Sequence, residues 1–247
     1  MMKVIVMSPL KGGTAKTSTI LNLAGYYAKQ GKKVLTIGLD SQRNLSNFVE
    51  PDEATNEKTI YDVLIRKENI KGAIYKSRFK NIDYVADSSK LGERNVIVEP
   101  LALRQALSDI NNLYDYVLID NAPVLTSGVR SSFVASNAII LTCELERFSL
   151  ENITDMINEI IKTNQKANIY IVPVRVVTNS KVHRQVRRKI ENFVKQVDTL
   201  HLTHSIPYSI EMTNRIYDGE ILVQHKGISK AHRQLKKSLE DLAKEIE

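Results

Sequence analysis

The sequence predicts an α/β fold: a doubly wound, mostly parallel sheet with helices on both faces. Short runs rich in Val and Ile alternate with helix-period segments along the chain, the pattern of repeated βαβ units. The runs at 116–119 and 138–143 are almost continuously apolar, which implies strands buried on both faces and helices above and below them. The 247 residues are 43% hydrophobic and 26% charged, the balance of a chain that folds around its own core.

In chain order, strands are expected at 4–8, 33–39, 82–86, 116–119, 138–142, 169–174 and 200–206. Between them, helices are expected at 15–29, 59–66, 100–113, 149–163, 181–197 and 229–245. Gly31 stands past the first helix as a C-terminal stop, a place that needs a left-handed backbone. The last helix carries Ile228, Ala231, Leu235, Leu239, Leu242 and Ile246 at the spacing of a face packed on the sheet. The polar, acidic segment 50–58 is a connection too short to divide the chain, so one domain over residues 1–247 is expected.

Composition removes several classes of chemistry. The single cysteine, Cys143, allows no internal disulfide, thiolate metal cage or cluster built on paired cysteines, and its apolar strand makes it an inert hydrophobe. His183, His201, His204, His225 and His232 have no metal-ligand spacing. No apolar run approaches the ~18 residues of a bilayer span, and the N-terminus lacks the flanks of a secretory signal. A cytoplasmic chain without a membrane partner is expected. The 35 Lys and Arg against 28 Asp and Glu give a net charge of +7, which favours a polyanionic partner.

The first strand runs into Leu10-Lys11-Gly12-Gly13-Thr14-Ala15-Lys16-Thr17-Ser18 and then a helix. The ordinary GxxxxGK[ST] phosphate loop fails at Leu10 and Ala15; what matches is KGGxxK[ST]. Gly12 and Gly13 let backbone N–H groups approach phosphate oxygens, and the helix N-terminus adds partial positive charge. Lys16 can reach the β- and γ-phosphates, and the Thr17 hydroxyl is a hard ligand of the kind Mg²⁺ takes. Asp40 follows the second strand, at the edge where doubly wound sheets place ligands. A further apolar strand ends in Asp120, the layout of a carboxylate that holds Mg²⁺ through water.

On these motifs the chain resembles the ParA/MinD superfamily of deviant Walker A ATPases, and most closely the short, Soj-like ParA partition ATPases. Lys11–Ser18 resembles KGGxGKTT, Leu39–Ser46 resembles the DPQGN switch I segment, and Tyr114–Pro123 resembles YDYIIIDxPP. The resemblance implies an enzyme that binds ATP and Mg²⁺ through Lys11, Gly12, Gly13, Thr14, Ala15, Lys16, Thr17 and Ser18 and dimerises face to face. It implies that Lys11 reaches the partner's nucleotide, that Asp40 positions the attacking water, and that Thr17 and Asp120 hold Mg²⁺, Asp120 through water. It further implies close packing of two loops at Gly12, and that Pro207 lines the adenine. The chain departs from the pattern at Ala15, which is tolerable with negative φ, and at Gly38, Ser41, Arg43 and Ala122, where the family carries an acidic residue, Pro, Gly and Pro.

Within the superfamily, the absent cluster cysteines, tyrosine cluster and basic amphipathic tail set aside the nitrogenase iron protein, tyrosine-kinase and membrane-bound MinD branches. With a strand opening at residue 3, no N-terminal helix-turn-helix domain is expected. Helical spacing over 181–197 puts Val182, Val186, Ile190, Phe193 and Val197 inside and Lys181, Arg184, Arg187, Arg188 and Lys195 outside. That face suits sequence-blind contact with the phosphates of duplex DNA, with help from Arg215 and Lys230. Glu211 stands where the family is commonly basic, and it can pair with Arg215 or leave Arg215 to substitute. The reading is a nucleoid-associated partition ATPase, slow until stimulated by a ParB-like centromere-binding protein. The alternatives are a MinD-like positioning ATPase for a protein cargo, or an ATP-gated DNA-binding scaffold that barely hydrolyses.

Overall fold

The computed structural model describes residues 2–93, 95–177, 179–227 and 229–247. Its elements in chain order are β1 (Lys3–Pro9), α1 (Lys16–Lys29), β2 (Val34–Gly38), α2 (Asn44–Val49), α3 (Ile60–Leu64), β3 (Ile74–Lys76), β4 (Ile82–Val85) and α4 (Ala102–Ser108). Then follow β5 (Tyr116–Asp120), α5 (Ser127–Ala135), β6 (Ala138–Cys143), α6 (Ser149–Thr163), β7 (Asn168–Pro173), α7 (Lys181–Val194), β8 (Leu200–Leu202), α8 (Ile210–Tyr217) and α9 (Lys230–Ile246). The strands form one sheet in the order β3-β4-β2-β5-β1-β6-β7-β8, parallel except for β3, which pairs antiparallel with β4 at the edge.

The strands alternate between two cores, so both faces are covered as the apolar runs require. In β1, Val4 and Val6 face a core closed by α3, α4, α5, α6 and α7, while Ile5 and Met7 face one closed by α1, α2, α8 and α9. Every residue of β6 is buried. On α6, Ile153, Ile157 and Ile160 are buried, each contributing about 1.5–3 kcal/mol. Tyr27 of α1 stacks on Tyr116 with ring centroids 3.9 Å apart and donates to the carbonyl of Ala243 at 3.0 Å, tying α1 to α9.

Several expectations are corrected. Three residues of β3 are too few to show a period, so that strand escapes a reading by alternation. The short helices α2, α5 and α8 were not expected either; α5 and α8 start at Thr126 and Ser209, whose hydroxyls accept from the N–H of Val129 and Glu211. The strand expected over 200–206 ends at Leu202; beyond it the Thr203 and Ile206 N–H groups still bond the Ile171 and Pro173 carbonyls of β7, and a single bridge joins Val176 to Pro207. The helices expected at 59–66 and 100–113 shorten to α3 and α4, and α3 is followed by Lys67 in a left-handed conformation at φ 58°. On α9 Ala231 is exposed and His232 is buried in its stead; the expectation for Ile228 lies outside the described residues. Among the described residues no helix is long and apolar enough to cross a membrane.

The site follows from the register. Met7 of β1 and Gly38 of β2 both stand beside Asp120 of β5, so the loops leaving β1, β2 and β5 converge at one edge. There the order of connection reverses about β1, the place where such sheets bind ligands.

Candidate nucleotide-binding site

Residues 10–15 turn from β1 into α1, and residues 11–18 line a cleft of about 520 Å³ with Asp40, Gln42, Asn44, Phe48, Pro123 and Ile216. Gly13 has φ 79°, a conformation that costs glycine nothing. Among the described residues, no protein acceptor meets the backbone N–H of Gly12, Gly13 or any residue from Ala15 to Ser18, while Thr14 closes the turn from Lys11. Such a row of free donors at a helix N-terminus is an anion site. The Thr14 hydroxyl is turned inward, 3.0 Å from that of Thr142 on β6.

Beneath the loop, Lys16 Nζ lies 3.0 Å from Asp120 Oδ1 and 3.3 Å from Asp40 Oδ2. Thr17 Oγ1 donates to Asp120 Oδ2 at 2.7 Å. Asp120 is 1% exposed; burial raises its pKa, opposed first by the charge of Lys16 and then by the Thr17 bond. A threonine hydroxyl and two carboxylates form a hard oxygen donor set, so these residues fit a magnesium ion.

The departures acquire physical content here. Ala15 caps α1 with φ 53°, so the negative φ that would make alanine tolerable there is not met, and Arg43 caps α2 with φ 57°. Both hold left-handed conformations that cost an L-residue about 1–2 kcal/mol and glycine much less. After the greater freedom of glycine in the unfolded chain is subtracted, Ala15→Gly and Arg43→Gly are each expected to stabilise by about 0.5–1 kcal/mol. Thermal unfolding would then shift upward by roughly 1–4 °C for each variant; no shift in either would mean that neighbouring contacts absorb the strain. Gly38 has a different reason: a Cβ there would land inside the carboxyl group of Asp87, which follows β4.

Lys11 reaches the opposite way from Lys16. Its Nζ pairs with Glu144 Oε2 at 2.8 Å and Glu146 Oε1 at 2.7 Å, and these two bonds raise its pKa. Gly12 has open space around it within the protomer. Pro207 lines a second cleft with Gly13, Ala15, Ser18, Arg175, Tyr208 and Met212. Arg175 was not foreseen. It holds φ 55°, lies over the Tyr208 ring at 5.6 Å, and bonds both Gly13 O at 3.4 Å and Glu144 at 3.2 Å. Its backbone conformation leaves no sequence signal, whereas the acidic pair Glu144 and Glu146 after a strand does.

A family model described as an AAA domain matches residues 2–172. An uncharacterized protein of Pseudomonas putida is 31% identical over 173 residues, 68% of this chain and 66% of that one. The sporulation initiation inhibitor protein Soj of Bacillus subtilis is 27% identical over 163 residues, 64% of each chain. The chain belongs to the ParA/MinD superfamily. Its match spans just under two thirds of the length of these two relatives. The fold agrees with that of a Borrelia burgdorferi protein assigned to plasmid partition and solved with AMPPNP bound, at a TM-score of 0.79 and 21% identity over 100% of both chains.

The basic face of this ParA/MinD chain needs redrawing. On α7, Lys181, Arg184 and Arg188 are exposed as expected, and Lys189 beside them is exposed too. Arg187 is not part of that face. Its Nε bonds Glu191 at 3.0 Å, and its terminal nitrogens reach the Ser205 hydroxyl at 2.8 Å and the Thr203 carbonyl at 3.1 Å, pinning α7 to the segment after β8. Val182, expected inside, is 53% exposed. Arg215 pairs with Glu220 rather than Glu211, and Glu211 instead accepts from the Ser229 hydroxyl at 2.7 Å. Lys230 is exposed at the start of α9.

Proposed function

We propose that this protein is an ATP-dependent partition ATPase that dimerises on ATP, binds duplex DNA without sequence preference and hydrolyses ATP slowly until a ParB-like partner stimulates it. The observation that carries the reading is the arrangement of Lys16, Thr17, Asp40 and Asp120 beneath a loop whose N–H groups at Gly12, Gly13 and Ala15 to Ser18 meet no acceptor among the described residues. That arrangement supports binding of a triphosphate with Mg²⁺, as does the AMPPNP in the Borrelia structure. Thr17 and Asp120 would hold the Mg²⁺, Asp120 through water, and the ion when bound neutralises charge on the phosphate oxygens.

Lys16 releases its carboxylates for the β- and γ-phosphates, and Asp40, freed of that pairing, orients the attacking water. Lys11 leaves Glu144 and Glu146 to reach the nucleotide of a second copy, where its charge stabilises the transferring phosphoryl group. Pro207, Arg175 and Tyr208 surround the base. The exposed cations of α7 with Lys230 make backbone contacts to DNA, which supports nucleoid association. Lys11, Asp40 and Lys16 thus divide the work between two protomers, which is why ATP and dimerisation are coupled.

Asp40→Ala tests the reading, because it removes the water-positioning carboxylate and spares the phosphate contacts. The variant is expected to accumulate as an ATP-bound dimer in light scattering, with turnover lowered by roughly a hundredfold. A variant that stays monomeric at saturating ATP, or that hydrolyses at the parental rate, would remove Asp40 from this role. Turnover with and without duplex DNA and a candidate partner separates the enzyme from an ATP-gated scaffold.

A further inference from the structure

We propose that Asp87 is a positioning residue of this site, clamping the segment that carries Asp40 between the end of β2 and the first turns of α2. The proposal rests on the nucleotide site described under the proposed function. Asp87 follows β4, Gly38 ends β2 and Asp120 ends β5, three neighbouring strands, so the three residues stand side by side at the ligand edge of the sheet. The Asp87 carboxyl fills the volume that a side chain on Gly38 would take. It therefore bears directly on the backbone from which Leu39 and Asp40 continue.

The other end of the segment is held by the same residue. The Ser46 N–H donates to Asp87 Oδ2 at 3.4 Å, and the Asp87 N–H donates to Ser46 Oγ at 2.7 Å. Between Gly38 and Ser46 the Leu39 N–H donates to the Asp120 carbonyl at 2.8 Å and Lys16 pairs with the Asp40 carboxylate, while the Arg43 and Gln42 N–H groups bond the Asp40 carbonyl and carboxylate within the turn; none of these reaches across to β4, as Asp87 does. One side chain thus meets the segment at its entry and at its exit, and Asp40 lies between.

Packing alone does not account for a carboxylate in this place. Asp87 is 1% exposed and its Oδ1 has no hydrogen-bond partner among the described residues, a costly arrangement for a core position. Its surroundings add Asp120, whose like charge works with burial to push the Asp87 pKa up to about 7, against the Ser46 bonds and the charge of Lys16. An alanine at 87 with any small side chain at 38 would fill the space without that cost. Gly38 and Asp87 are complementary: either position can deliver a carboxylate to this spot, and both together cannot.

The test compares Asp87→Asn, Asp87→Ala and the double variant Asp87→Ala, Gly38→Asp with the parental chain. Hydrogen exchange of the 39–49 amides is read without nucleotide, and ATP affinity and turnover are read separately. Asp87→Ala is expected to speed exchange of those amides by roughly tenfold and to lower kcat by about tenfold to a hundredfold while ATP affinity stays within about twofold. Asp87→Asn keeps an acceptor for the Ser46 N–H and should retain most of the protection. The double variant, with the carboxylate delivered from the other strand, should recover at least about half of the lost kcat. Parental exchange and turnover in Asp87→Ala would overturn the proposal, as would equal losses of affinity, turnover and global stability with no recovery in the double variant. Should the parental chain bind no ATP, the nucleotide reading fails by itself, and exchange in the 39–49 segment still decides whether Asp87 holds it.

Discussion

Lys16→Ala is expected to weaken ATP binding by at least about a hundredfold, or roughly 2.7 kcal/mol, whereas Lys11→Ala should leave the affinity of the monomer within about twofold. The two lysines are five residues apart and serve different places. Lys16 points under its own loop, with its side chain 10% exposed between Asp40 and Asp120, the place the proposed function gives to the phosphates. Lys11 is 45% exposed and directed to Glu144 and Glu146, away from the interior of the cleft. Exposed ion pairs of that kind contribute about 0–1 kcal/mol, so Lys11→Ala should fold normally and lose turnover and ATP-driven dimerisation instead.

Removing Lys16 takes away the cation that favours ionised Asp120. Because burial already raises the pKa of that carboxyl, it can take up a proton rather than stay as a bare charge, and the fold survives. Calorimetric titration of each variant with ATP and Mg²⁺, alongside thermal unfolding, separates lost affinity from lost structure. Equal affinity losses in the two variants would contradict the assignment of the lysines to different nucleotides.

The parts of the fold legible in the sequence are those where burial imposes a long pattern. The strands β1, β2, β5 and β6 and the helices α1, α6 and α9 announce themselves through apolar runs or a 3.6-residue stripe, and the observed ends differ from the expected ones by at most two residues. By contrast α2 and α8, of six and eight residues, are too short to show a stripe: α8 depends on its Ser209 cap, and α2, which has no side-chain cap, on the burial of Leu45, Phe48 and Val49. The phosphate loop was legible because its chemistry demands glycines and a lysine at fixed spacing. Asp87 was not, since its place in the site depends on a strand pairing between β4 and β2 and on the missing side chain of Gly38. Arg187 misled for a related reason. Helical spacing assigns a residue to a side of its helix, and here that side faces the segment after β8, which has polar groups to offer.

That correction changes which substitutions report on DNA. In the partition reading, Lys181→Glu with Arg188→Glu is expected to lower affinity for duplex DNA by at least about a hundredfold at physiological salt, because the dimer loses four cations and gains four anions. The dependence of log affinity on log salt should flatten by about 0.9 for each phosphate contact removed. ATP-driven dimerisation should persist, since both residues lie on α7 and neither lines the nucleotide cleft. Arg187→Ala is the informative control. With bonds to Glu191, Ser205 and Thr203 gone, it should cost about 1–3 kcal/mol of stability, read as a lower unfolding temperature, while the salt slope keeps its parental value. Fluorescence anisotropy with a labelled duplex across a salt series, with and without ATP, measures both effects. If the Lys181 and Arg188 reversals leave affinity and slope intact while Arg187→Ala removes binding from a fully folded protein, the contact surface is centred on the segment after β8 and the exposed cations of α7 are a solvated face.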